Sequence, residues 1–196
     1  LWVWGDDDHG QLGKNTYDEP VSSPVQTIAG GLNWKSVACG ERFMFAIKDN
    51  GSLWGWGQNS NGQLGIELTD DVSSPVQTIC GGTNWKQASC GNDHSACIKN
   101  DGTLWLWGSN SDGQLGTGDD ADRSSPVQTI CGGNNWKAVS CGQQGTAAIK
   151  NDGTLWVWGY NGNGECGDDT TDNKSSPVQT IMGGNNWVHV WSGYVN

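Results

Sequence analysis

The side chains in this sequence that could do chemistry are its histidines, its cysteines and its clustered carboxylates, and their spacing argues against most of that chemistry. His9, His94 and His189 fall at three different positions of the repeating unit described below, and no nucleophile motif of the GxSxG kind accompanies them. A histidine without a positioned partner has nothing to activate. His94 is matched by Phe43 and Gly145 in other copies, so a structural role is expected for it. A phosphate-binding GxxxxGK[ST] loop ending at Lys14 would need glycine where Asp8 stands and Ser or Thr where Asn15 stands. Asp6-Asp7-Asp8 and Asn110-Ser111-Asp112-Gly113 set oxygen ligands near a glycine, but neither provides the D-x-[DN]-x-[DN]-G frame with its later Glu. Turn chemistry accounts for Asn and Asp before Gly without an ion. No metal site, cofactor or catalytic residue is expected.

The seven cysteines carry no pairing signal, since there is no CxxC, no Cys/His set at zinc spacing, and the count is odd. Cys39, Cys90 and Cys141 share a repeat position with Ser192, Cys80 and Cys131 share one with Ala29 and Met182, and Cys97 matches Ala148. Such exchanges suit small packed positions, and free buried thiols are expected.

A formal net charge of −11 excludes a nucleic-acid backbone as the main ligand, because such binding relies on clustered Lys and Arg. Lys35, Lys86 and Lys137 occupy one repeat position and Lys48, Lys99 and Lys150 another, so most of the basic charge belongs to the scaffold. The apolar runs are strand-sized, too short to span a bilayer as a helix, and no signal peptide opens the chain. Acidic charge gathers in four variable segments: 14–21 with Asp18 and Glu19, 66–72 with Asp70 and Asp71, 117–123 with Asp119, Asp120 and Asp122, and 168–174 with Asp168, Asp169 and Asp172. Acidic loops of this kind suit a protein partner or a polycationic surface. They are the candidate binding residues.

The elements that must position them repeat. LWxWG begins at Leu1, Leu53, Leu104 and Leu155, SSPVQTI at Ser22, Ser73, Ser124 and Ser175, and Asn-Trp at Asn33, Asn84, Asn135 and Asn186. Three markers in one phase define a tandem array with a period near 50 residues, read as a single domain over 1–196 with repeats at 1–52, 53–103, 104–154 and 155–196. In the third copy, LWLW is apolar throughout, as a strand buried on both sides would be, and PVQTI alternates from a proline entrance. WKAVSC and TAAIK read as two further strands, and Asn-Asp-Gly closes TAAIK onto the next LWVWG as a hairpin. Four short antiparallel strands per repeat make an all-β fold, a β-propeller of four-stranded antiparallel blades. Strands are expected near 1–4, 24–28, 34–39, 43–48 and 53–56, at the equivalent positions of later copies, and near 187–192. Helix should be almost absent. Trp54, Trp56, Trp105, Trp107, Trp156 and Trp158 are expected to be core, packing blade on blade.

WGQNSNGQLG at Trp56–Gly65 and WGSNSDGQLG at Trp107–Gly116, followed by SSPVQ and by SCGNDHSACIKNDGTLW at Ser89–Trp105, closely resemble the regulator of chromosome condensation repeat family. The resemblance covers the whole chain. It implies a β-propeller, usually seven-bladed, in which each sequence repeat is offset from the blade and the termini share a blade to close the ring. Members include a guanine nucleotide exchange factor, a plant ultraviolet photoreceptor and an inhibitor of β-lactamase. The exchange factor uses an inserted strand wedge, for which the regular spacing here leaves no room. The photoreceptor uses tryptophans at positions matching Glu41, Asn92, Gln143 and Tyr194, none of which is Trp here.

The sequence is therefore read as a non-enzymatic propeller scaffold binding a protein partner through one loop face, as a module of a bacterial or viral surface or structural protein. A guanine nucleotide exchange regulator and a sugar-binding lectin are the alternatives, and the lectin needs several solvent-exposed Trp. The chain opens at Leu1 within a repeat and stops where a TAAIK-type strand would follow. Its four repeats are accordingly read as a fragment, an open arc of a larger ring completed by missing sequence or by other chains.

Overall fold

The computed structural model describes residues 1–193, and Tyr194 lies outside them. The described residues contain fourteen strands and no helix. They are β1 Trp2–Gly5, β2 Val21–Gln26, β3 Trp34–Cys39, β4 Phe43–Lys48, β5 Leu53–Gly57, β6 Val72–Gln77, β7 Trp85–Cys90, β8 His94–Lys99, β9 Leu104–Gly108, β10 Arg123–Gln128, β11 Trp136–Cys141, β12 Gly145–Lys150, β13 Leu155–Gly159 and β14 Lys174–Gln179. Three four-stranded antiparallel blades follow chain order, β3–β6, β7–β10 and β11–β14, preceded by the two-stranded pair β1–β2. The blades are offset from the sequence repeats: each starts on Asn-Trp and borrows LWxWG as its third strand.

The Asn-Trp strands β3, β7 and β11 pack on one another from blade to blade. Side chains stitch this innermost layer, with Cys141 N–H donating to Ser89 Oγ at 2.9 Å and Gln87 Nε2 to Val139 O at 2.8 Å. The SSPVQ strands β2, β6, β10 and β14 are outermost, each paired on one side only. Proline is tolerated on such an edge because its missing N–H faces outward. For that reason the outer strands run three residues earlier than expected, through the proline instead of starting at it, with a register shift in each pairing. The expected strand at 187–192 is not formed, a correction with a simple cause. Ser192 N–H reaches Ser140 Oγ at 2.9 Å as Cys141 reaches Ser89, but no described strand lies on its other side to complete a ladder.

The core lies between blades. One cluster joins Phe45, Ile47 and Leu53 of the first full blade to Trp85 and Trp107 of the second, and another joins Ile98 and Leu104 to Trp136 and Trp158. The two tryptophans of LWxWG divide the work. Trp56, Trp107 and Trp158 are wholly buried, while Trp54, Trp105 and Trp156 are half-buried and flank a lysine. Lys150 Nζ sits 4.8 Å from the Trp136 ring and 4.2 Å from the Trp156 ring, a sandwich repeated at Lys99 and Lys48. Among the described residues the array does not close on itself, for Trp2 and Trp4 are 58% and 61% exposed at one end and Trp191 81% at the other.

All seven cysteines are free. Cys97, Cys141 and Cys166 are buried, but Cys39 and Cys131 are exposed, so packing does not explain every thiol. Cys166 stands where Leu12, Leu64 and Leu115 stand in the other copies.

Candidate protein-interaction face

The acidic loops grow from the GQLG motif, which fastens each blade to the next. Gln63 O accepts Trp107 Nε1–H at 2.7 Å, Gln11 O accepts that of Trp56 at 2.9 Å, and Gln114 O accepts that of Trp158 at 2.8 Å. The glycines on either side are required by proximity. A Cβ at Gly62 would lie 2.5 Å from Ser124 Cα, and one at Gly65 2.9 Å from Trp107 Nε1. Both also have positive φ, at 76° and 64°. Leu64 and Leu115 are buried beneath the clasp.

A buried asparagine then organises the loop. Asn110 donates from Nδ2 to the carbonyls of Asp119 and Ala121 at 2.9 and 3.1 Å and accepts Leu115 N–H at 2.9 Å. Its own N–H donates to Asp122 Oδ1 at 2.7 Å. Asn59 and Asn161 repeat the pattern, with Asp71 Oδ1 at 2.8 Å and Asn173 Oδ1 at 2.9 Å in the carboxylate position. In the first copy Asp7 replaces the asparagine, accepts Leu12 N–H at 2.9 Å, and forms an ion pair through its buried Oδ2 with Lys14 Nζ at 3.0 Å.

This arrangement separates the candidate carboxylates into two groups. Asp71 and Asp122 hold the asparagine backbone. Asp119 accepts from Thr117 Oγ1 at 2.9 Å and pairs with Arg123 at 2.7 Å, and the hydroxyl, followed by the guanidinium, lowers its pKa. Asp168 accepts from Thr170 Oγ1 at 2.7 Å and faces Lys174 at 3.0 Å, and these hold its carboxyl at about 2. Asp18 is lowered chiefly by the Thr16 hydroxyl and lies 3.4 Å from Lys14. Glu19, Asp70, Asp120, Asp169 and Asp172 are exposed, and no described side chain bonds to their carboxylates. They are the loop carboxylates without a partner among the described side chains.

Each loop rests on the outer strand of the next blade, with the N–H groups of Asn15, Glu67 and Gly118 donating to the carbonyls of Ser73, Ser124 and Ser175 at 2.7, 2.9 and 2.7 Å. His9 Nδ1 is 2.6 Å from Asp71 Oδ2 and Arg42 Nη1 is 3.1 Å from His9 Nε2. Arginine can only donate, so Nε2 accepts and Nδ1 carries the proton donated to Asp71. Tyr17 Oη donates to Asp71 O at 2.9 Å, and Asn173 Nδ2 to Asp112 Oδ1 at 2.8 Å links the last two loops. The sequence reading missed His9, Arg42 and the asparagine hubs. The hubs had a signal, an Asn recurring three residues after the second Trp of LWxWG.

His94 is buried, with Nε2–H donating to Thr146 Oγ1 at 3.0 Å, because that hydroxyl already donates to Gln114 O at 2.8 Å. Its Nδ1 has no partner, and burial pushes its pKa down to about 4. Among the described residues no three His, Cys, Asp or Glu side chains gather as metal ligands, and no helix is long and apolar enough to cross a membrane.

Blades fastened by a GQLG clasp under paired tryptophans define a propeller of one distinct class. The chain belongs to the Regulator of chromosome condensation (RCC1) repeat family, whose profile matches residues 1–47, 50–98, 101–149 and 152–194, with a second profile of the same repeat matching 34–63, 85–114 and 136–165. It is similar to the Ultraviolet-B receptor UVR8 of Arabidopsis thaliana, 32% identical over 98% of this chain and 44% of the receptor. It is also similar to the human Probable E3 ubiquitin-protein ligase HERC4, 30% identical over 95% of this chain and 18% of the ligase. Among solved structures, human WBSCR16 superposes with a TM-score of 0.83 at 26% identity, over 98% of this chain and 51% of that one. Yeast RCC1 (Prp20), crystallised with Kap60, gives 0.76 at 21% identity, over 91% and 44%. The chain thus spans about half the length of these propeller structures.

Proposed function

We infer that this chain is a non-enzymatic propeller scaffold that binds a protein partner through the loop face formed by 14–21, 66–72, 117–123 and 168–174, as a module of a larger bacterial or viral surface or structural protein. Further sequence, or other chains, complete the ring. One observation carries the reading: the first three copies share the GQLG clasp, whereas all four diverge in these loops, where exposed carboxylates without internal partners remain. Yeast Prp20, of the same fold, is described as binding Gsp1p and histones, which supports a binding role for such a propeller.

Glu19, Asp70, Asp120 and Asp169 are the residues to reverse, because Asp119 and Asp122 also hold their loop. Proteins retained by the wild-type chain from a source lysate should be lost by the fourfold Lys variant; retention of the same proteins would remove the loop face from the account. The exchange alternative is separated by release of a labelled guanine nucleotide from candidate GTPases, where no acceleration is expected. The lectin alternative needs exposed Trp across the array, whereas among the described residues only Trp2, Trp4 and Trp191, at the ends, are strongly exposed.

A further inference from the structure

Ile28, Ile79, Ile130 and Ile181 end the SSPVQTI segments and are 58, 44, 64 and 68% exposed. None of the four belongs to the buried core. Each is held by its backbone N–H, which donates to the carbonyl of Gly13, Gly65, Gly116 or Gly167 at 2.8, 3.2, 2.9 and 2.9 Å, and any residue but proline has that group. The four therefore form a row on the outer rim, one per blade, each at the foot of a variable acidic loop.

Row and loop adjoin. Ile181 and Met182 share a shallow hollow with Asp169 and Thr170, and Ile130 Cδ1 lies 3.0 Å from where a Cβ on Gly118, in the loop of Asp119 and Asp120, would be. Glu67 stands at the position of Asp169, beside the carbonyl of Gly65 that anchors Ile79. We propose that this rim is a docking surface for a basic, aliphatic protein segment, whose cationic side chains meet the unpaired carboxylates while its aliphatic side chains cover the isoleucines. The proposal rests on the loop-face reading and adds the chemistry of the partner. Charge complementarity selects this occupant: Lys14, Arg123 and Lys174 are already paired with the loop aspartates Asp18, Asp119 and Asp168, so the rim presents net negative charge, and a second copy of the same face would be repelled. Burying apolar surface adds affinity that a charge-only contact lacks, and salt does not screen it.

Two fluorescein-labelled peptides test this by anisotropy at ~150 mM salt, where exposed charges are screened beyond about 8 Å. One repeats Lys-Leu-Lys-Ser and the other Lys-Ser-Lys-Ser. The leucine peptide should bind the wild-type chain about tenfold or more tighter, as expected for ~1.4 kcal/mol or more of apolar burial. The Ile79→Ser/Ile130→Ser/Ile181→Ser variant should lose that preference while keeping its weaker affinity for the serine peptide, and the corresponding Ile→Leu variant should retain the preference. Equal binding of the two peptides to the wild-type chain, or a leucine preference that survives the serine substitutions, would overturn the proposal. If the fourfold Lys reversal leaves both peptides bound as before, the loop-face reading itself fails. Unchanged thermal melts of the variants exclude unfolding as the cause of a lost preference.

Discussion

At the residue scale, the equivalent positions Phe43, His94 and Gly145 show how the scaffold uses or dispenses with a polar group. The folded state holds His94 neutral, with a pKa of about 4 against 6.5 when exposed. Between those values the unfolded chain binds the extra proton, so stability is full above about pH 6.5 and falls as pH drops toward 4. His94→Phe, which copies Phe43, should lose less of its melting temperature than the parent as pH falls from about 6.5 toward 4. The carboxylate of Asp168, held at about 2, adds a separate loss at lower pH as it protonates. Glu67 has φ 63°, at a position occupied elsewhere by Asn15, Gly118 and Asp169. Glu67→Gly should therefore stabilise by about 1 kcal/mol in urea unfolding. Gly113→Ala should destabilise by more than ~2 kcal/mol, since its Cβ would lie 2.4 Å from Ser175 Cα at φ 80°. Such glycines read in the sequence only as turn formers. Their pressure on the next blade is a tertiary contact that local pattern does not contain.

At the element scale, the strands were legible because each is a short apolar or alternating run bounded by Gly, Asn and Asp, and LWxWG, WKxxxC and the strands ending in Ile-Lys lie where expected. The outer strand was misplaced by three residues because proline usually marks a strand entrance, and only the sheet order shows that this strand is an edge that can carry proline inside. The segment at 187–192 has a strand's sequence and lacks the pairing that would make it one. The clasp makes neighbouring blades interdependent. Trp107→Phe keeps most of the packing and leaves Gln63 O with only the Ser95 hydroxyl as donor, an expected cost of about 0.5–1.5 kcal/mol. Trp107→Ala should cost about 3–5 kcal/mol, and the difference between the two measures packing against hydrogen bonding. Asn110→Ala should loosen the loop of 117–123 more than the blade beneath it, visible as faster amide exchange confined to that loop.

At the scale of the whole molecule, four copies of one unit gave the architecture away, since three markers in phase leave little choice of fold. The function was less legible. Every acidic residue of the variable loops looks alike in sequence, and only side-chain geometry separates Asp71 and Asp122, which hold an asparagine backbone, from Asp70 and Asp120, which bond to no described side chain. The isoleucine row escaped notice because the final residue of an alternating segment is ordinarily buried. The central claim is that partner contact falls on the parts that differ between copies. Amide hydrogen exchange of the chain, with and without a captured partner, tests it most directly. The account predicts slowed exchange at 14–21, 66–72, 117–123 and 168–174 with β3, β7 and β11 unchanged. Protection confined to the turns that follow those inner strands, at 40–42, 91–93 and 142–144, with the loops unaffected, would contradict it.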